Sequence, residues 1–236
     1  MNRRVLMIVT SNSRMGETGK PTGIWTEELT VPYYIFLDVG IEIEIASPLG
    51  GAAPFDPSSI KALGQNDANT DRFLADTEAQ HKIAQTMKVS QVDVGRFDAV
   101  FFPGGHGTMW DLPNDAGVTR TVESAYALGK VIAAVCHSPA GLVTAKRPDG
   151  QSILFGKRVN GFTDDEEAAA GLTDIVPFKL ETRIRELGGK FEKTANWQPF
   201  AVRDGQLITG QNPASSTLVA HHMVAALKDS QAHLAA

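Results

Sequence analysis

The sequence is nearly without cysteine: Cys136 stands alone among 236 residues. No intramolecular disulfide can form, and nothing in the cysteine content suggests an oxidising compartment. A basic excess is also missing. Lys and Arg number 22 against 27 Asp and Glu, for a formal charge of −5, and the basic residues are scattered. That balance argues against a nucleic-acid partner or an anionic membrane surface, both of which call for a clustered positive face. Long hydrophobic runs are absent too. VLMIVT follows Arg3 and Arg4 but ends in polar SNSRMGETGK, too short for a signal-peptide core, so the chain reads as cytoplasmic and without a membrane span. There is no H-E-x-x-H or C-x-x-C, and His221 and His222 fall in a terminal helical stretch, so no metal is assigned. No G-x-G-x-x-G or P-loop lysine follows a strand, which leaves a nucleotide cofactor without support, and neither an internal repeat nor a low-complexity tract is visible.

What remains is the composition of an ordinary soluble globular protein, 42% hydrophobic and 21% charged. Its length suits one large α/β domain over residues 1–236. Residues 3–10 (RRVLMIVT) have a buried-strand pattern, followed by a polar, glycine-containing loop. Residues 24–40 show helical spacing through Leu29, Tyr33, Phe36 and Leu37, with Pro32 expected to kink the helix or mark its true start. IEIEIASP at 41–48 alternates as a strand. Residues 50–91, with Pro54, Pro57 and a helical run around 71–87, read as an excursion from the sheet.

The β/α rhythm then returns. A strand at 99–102 leads into a glycine-rich turn and a helix near 114–128, and a second strand at 131–135 leads into a sharp turn at Cys136 and His137 with a helix opening near Pro139. Beyond Gln151 the pattern suggests a hairpin or short strands, a helix near 179–187, strands at Phe191 and 206–209, a final helix from about 214 to 228, and a frayed DSQAHLAA end. Consecutive strand-turn-helix units whose strands are apolar throughout predict a doubly wound, mostly parallel sheet with helices on both faces. Such sheets form their sites at the carboxyl ends of the strands, where Cys136 and the GGHG turn both fall.

A cysteine on a tight strand-to-helix turn is held clear of the sheet as a nucleophile elbow. A helix beginning at Pro139 would favour its thiolate and depress its pKa, an adjacent His137 could shuttle protons, and the His137 backbone N–H is placed to bind a developing oxyanion. A small buried cysteine closing a core strand is the plainer reading of the same residue. In the GGHG turn, Gly104 and Gly105 allow close backbone approach to a ligand, although a tight βα turn needs glycine in any case. Glu27 and Glu28 are adjacent at the start of the first helix, so at most one can reach a site, and for either one solvent is the ordinary destination. GFTDDEEAAAG at 161–171 reads as a helix start capped by Thr163 or Asp164; one of its acids could instead orient His137.

Taken together, FFPGGHGTMWDLP, VIAAVCHSPAGL, GFTDDEE, LITGQNPASS and TGIWTEELTVPYY resemble the DJ-1/PfpI family of the class I glutamine amidotransferase-like superfamily. The similarity runs nearly end to end and is strongest to the branch of heat-shock-type chaperones and glutathione-independent glyoxalases (glyoxalase III). The resemblance implies a flavodoxin-like sandwich with Cys136 as nucleophile, His137 as acid/base, Glu28 as the acid bonded to the cysteine, and Glu167 as the third triad member. It implies an oxyanion pocket made with Gly105, next to Gly104, and His137, whereas Ser138 stands where the family often has glycine. The implied activity is conversion of methylglyoxal and related 2-oxoaldehydes to lactate by a homodimer that needs no cofactor. Cysteine hydrolysis or deglycation, and a holding chaperone acting on unfolded or glycated proteins, are alternatives within the same resemblance.

Overall fold

The structure, a computed structural model, describes residues 3–234. Its centre is a seven-stranded sheet built from β1 (Arg4–Ile8), β2 (Glu42–Ser47), β3 (Met87–Lys88), β4 (Ala99–Phe102), β5 (Val131–Val135), β8 (Ala201–Asp204) and β9 (Leu207–Gly210), in the order β3-β2-β1-β4-β5-β9-β8. Every pair is parallel except β8–β9. β4 and β5 are buried at every position, as strands covered on both faces must be. From β1 the chain crosses through α1 (Thr26–Asp38) to β2 on one side. From β4 it crosses through α5 (Ala116–Ala127) to β5 on the other. Right-handed crossovers in opposite directions put these helices on opposite faces, giving the doubly wound arrangement the sequence predicts. α8 (Ser216–Leu234) packs beside α1.

Several elements differ from the sequence reading. α1 runs unbroken through Pro32, which is buried; packing against α8 and α2 (Ala68–Ala75) outweighs the one missing hydrogen bond. Residues 50–91 leave the sheet as α2 and α3 (Thr77–Ala84) but return to it as edge strand β3. After the short helix α4 (Thr108–Asp111), a further turn precedes α5. Instead of a hairpin after Gln151, β6 (Arg158–Val159) pairs in parallel with β7 (Lys190–Phe191) across α6 (Asp164–Ala169) and α7 (Leu180–Glu186). β8 escapes the pattern because polar Arg203 and Asp204 interrupt it. Its Asp204-Gly205 turn, with Gly205 at φ 63°, was the available signal. α8 continues through Leu234, past the expected fraying, and the last two residues of that expectation lie outside the described ones. Among the described residues, no helix is long and apolar enough to cross a membrane.

The helix expected at Pro139 is a five-residue 3₁₀ segment, Ser138–Leu142, buried throughout. Its bonds skip three residues, from the Ala140 N–H to the His137 carbonyl and from Ala145 to Leu142. Ser138 turns into the sheet instead of lining a pocket: its Oγ accepts from the Val135 N–H at 2.9 Å and donates to the Phe102 carbonyl at 2.6 Å, joining β5 to β4. Replacing it with Ala strands a buried N–H, so S138A should lose about 1–2 kcal/mol of unfolding free energy. Urea denaturation with an unchanged midpoint would show that the bridge contributes nothing.

Candidate active site

Cys136 ends β5 in a left-handed conformation, φ 62°, which among the described non-glycine residues it shares only with Trp197. Its N–H bonds the Gly210 carbonyl at the end of β9 (2.9 Å), and its carbonyl accepts the Phe162 N–H (2.7 Å), so the elbow is fixed on both sides. One residue after Phe162, Thr163 caps α6 in a reciprocal capping box with Glu166, and the same helix turn carries Glu167 toward the elbow. The Cys136 Sγ lies 3.2 Å from His137 Nδ1, His137 Nε2 lies 2.8 Å from Glu167 Oε2, and Glu167 Oε1 lies 2.9 Å from His106 Nε2. Cys136, His137 and Glu167 are all buried.

Glu28 arrives from the first turn of α1. The Trp25 N–H bonds the Gly104 carbonyl (3.0 Å), the Ile24 N–H bonds Pro54, and the Thr26 N–H is capped by Ser59 Oγ at 3.0 Å. The segment that leaves the sheet at residue 50 thus fixes where α1 begins. This resolves the one-residue ambiguity in geometry: Glu28 has no solvent exposure and faces Cys136, while Glu27 is half-buried on another face. Gly104 leaves the room, since a Cβ there would meet Glu28 Oε2 at 2.3 Å and the Val135 carbonyl at 2.5 Å. Gly105, at φ 108°, lines a cavity together with Cys136 and His137, and a Cβ on it would strike the Gly23 carbonyl at 2.3 Å.

Burial governs the ionisation of these groups. It pushes Glu28 well above the usual carboxylate range; Cys136 and the Gly104 N–H approach and partly offset this, but neither Glu28 oxygen completes a hydrogen bond of standard geometry. Burial and the neighbouring Glu28 likewise push the Cys136 thiol well up. The depression expected from the turn, a following helix and His137 is therefore not found: the helix is only a short 3₁₀ segment, His137 is uncharged at neutral pH, and burial and Glu28 oppose the thiolate. His137 is lowered to about 4 by burial and by His106, so it is neutral at pH 7. For Glu167 burial opposes ionisation, but attraction to His137 and hydrogen bonds from both imidazoles win and hold it at about 2. An ionised Glu167 accepts the His137 Nε2–H, which fixes the tautomer and leaves Nδ1 as an acceptor facing the thiol.

His106, Phe162 and Trp197 are the neighbours that the motif reading passed over. His106, the one polar side chain in GGHG, lines the cavity with Cys136 and shares Glu167 with His137. His106, His137 and Glu167 also bring three potential metal-ligand atoms within 4.8 Å of one another. They come from three separate segments, so no contiguous motif announces them, and the carboxylate is already engaged by both rings.

Because Glu28 opposes ionisation of Cys136, Cys136 alkylation should show a midpoint above that of free cysteine, moving down in E28Q. An iodoacetamide pH profile in which both proteins share one midpoint would refute the coupling.

Budding yeast glutathione-independent glyoxalase HSP31 is 30% identical to this chain over 236 residues, covering 96% of it and 99% of the yeast protein. The crystal structure of glyoxalase III from Candida albicans superposes with a TM-score of 0.87 at 30% identity, covering 95% of this chain and 97% of that one. Rapid Encystment Protein 24 KDa of Francisella tularensis superposes with a TM-score of 0.91 at 41% identity, covering 95% and 99%. The family signature matches residues 22–226, and the chain belongs to the DJ-1/PfpI family.

Proposed function

We propose that this protein is a glutathione-independent glyoxalase that converts 2-oxoaldehydes such as methylglyoxal to 2-hydroxy acids through a hemithioacetal on Cys136. The observation that carries this reading is the Cys136–His137–Glu167 line, with Glu28 facing the sulfur from its other side. Neutral His137 takes the thiol proton at Nδ1 while sulfur adds to the aldehyde carbon, the route open to a thiol that is not already ionised. His137 returns that proton to the new oxygen, and the Gly105 and His137 backbone amides border the pocket for it. His137 then removes the proton on C1 and delivers it to C2 through an enediolate, while the hydroxyl proton on the C1 oxygen passes to the C2 oxygen. The aldehyde carbon is oxidised and the ketone carbon reduced, so no external electron carrier takes part. The product is a 2-hydroxyacyl thioester on Cys136, which water opens, releasing lactate and restoring the thiol. Glu28, whose burial favours its protonated form, faces the sulfur and donates a hydrogen bond to it as the adduct forms.

The names borne by the yeast and Candida relatives, and their nearly full-length match, support this assignment. A cytoplasmic setting, and the homodimer that the resemblance implies, belong to the same proposal. Light scattering should give twice the 25.3 kDa chain mass, and a monomer in solution would remove the dimer from it.

Lactate should form from methylglyoxal without glutathione or nicotinamide, and C136S should abolish it. E167Q keeps the shape but loses the anion that sets the tautomer, so kcat should drop by about 10³–10⁴, as expected for the corresponding change in a related triad. Turnover should fall as pH drops through about 4, where His137 gains a proton and can no longer accept one. On the alkaline side, activity should fall where the Glu28–Cys136 pair loses the proton Glu28 donates. Full activity in C136S would transfer the chemistry to another group.

A further inference from the structure

The cavity above Cys136 is larger and less polar than a substrate as small as methylglyoxal requires. It has a volume of about 320 Å³ and is walled largely by Met15, Trp25, Phe162, Leu172 and Trp197. That volume lies at the lower end of the range that encloses drug-sized ligands, roughly 300–1,000 Å³. The rings on one side form a continuous series: His106 to His137 at 3.9 Å between centroids, His137 to Phe162 at 4.1 Å, and Phe162 to Trp197 at 5.6 Å. The series runs from His106 through the proton carrier His137 and ends at a half-exposed tryptophan on the rim.

Trp197 is held in this place by specific bonds. Its backbone is left-handed, φ 64°, a conformation that costs roughly 1–3 kcal/mol in a residue other than glycine. The fully buried Glu166 stabilises it: Oε1 accepts the Trp197 N–H at 2.8 Å and is itself fixed by Asn212 Nδ2 (2.8 Å) and Gln211 Nε2 (3.1 Å). A buried carboxylate anchoring a strained tryptophan against an apolar cavity is far more than a small loop needs for its own sake.

We infer that the site prefers 2-oxoaldehydes bearing a planar aromatic or bulky apolar substituent, and that Trp197 is the residue that sets this preference. The inference rests on the glyoxalase reading and narrows its substrate class. With the aldehyde carbon on Cys136, a flat substituent on the ketone carbon extends along Phe162 toward Trp197, where stacking adds to simple burial. The chemistry is unchanged: phenylglyoxal plus water gives mandelate, the aldehyde carbon being oxidised and the ketone carbon reduced. Contacts to the substituent persist from bound substrate to transition state, so they act mainly on KM.

The experiment compares kcat/KM for phenylglyoxal, read as mandelate, with that for methylglyoxal, read as lactate, in wild type, W197A and W197F. The wild type should favour phenylglyoxal by at least about tenfold, the equivalent of about 1.4 kcal/mol. W197A should lose most of that ratio, chiefly through KM, and W197F, which keeps an aromatic face, should retain most of it. Turnover of methylglyoxal with no aromatic preference, or an equal ratio in W197A, overturns the inference and leaves the glyoxalase reading standing. Turnover of neither compound overturns both.

Discussion

The left-handed turn at Cys136 is the constraint from which the site is built. A residue with a Cβ is held at φ 62° only because its surroundings over-determine it, and here the two backbone bonds to Gly210 and Phe162 do so. The first ties the elbow to the last parallel strand. The second ties it to the residue preceding the cap of α6, so the bond that steadies the turn also sets the distance at which Glu167 meets His137. Gly104 completes the constraint from the neighbouring strand, because any side chain there would displace either Glu28 or the end of β5. Sheet, elbow, base and acid are therefore one mechanical unit.

That unit is dry, and dryness decides its charges. Burial works against every ionised form, pushing Glu28 and Cys136 up and His137 down. One group escapes: Glu167, bonded at both oxygens by imidazole, stays ionised. The site's negative charge thus lies on the far side of His137 from the sulfur. This arrangement makes Nδ1 an acceptor and gives the thiol proton somewhere to go. It also explains how a thiol raised by burial can serve as a nucleophile, since a base beside it does the work that a preformed thiolate would otherwise do.

The sheet and the elbow were legible because they depend on short local signals. Apolar runs that stop at Pro103 or at Cys136 mark β4 and β5 to the residue, and the cap at Thr163 is a local capping box. The neighbours of the site were less legible because they depend on contacts between distant segments. Glu28 and Glu27 differ only in which face of one turn they occupy, and that is set by Ser59 and Gly104, neither of them adjacent in sequence. The macrodipole expectation failed for a related reason. Pro139 signals a helix start equally well whether the turn continues as α-helix or closes after five residues, and packing in the buried core selects the shorter form.

The same dryness bears on the order of events in the proposed reaction. A proton moved from C1 to C2 by one imidazole is retained best when water cannot reach the enediol, yet the thioester formed from it needs water to open. Only the inner half of the cavity is closed: His137 and Phe162 are buried, His106 is half-buried and Trp197 is open to solvent. Water therefore has a route from the rim, past the residues that would hold the substrate's substituent, to the carbonyl on Cys136. A substituent filling that route would keep the proton shift dry, so the same open rim that accommodates the substituent is also the path by which water reaches the thioester.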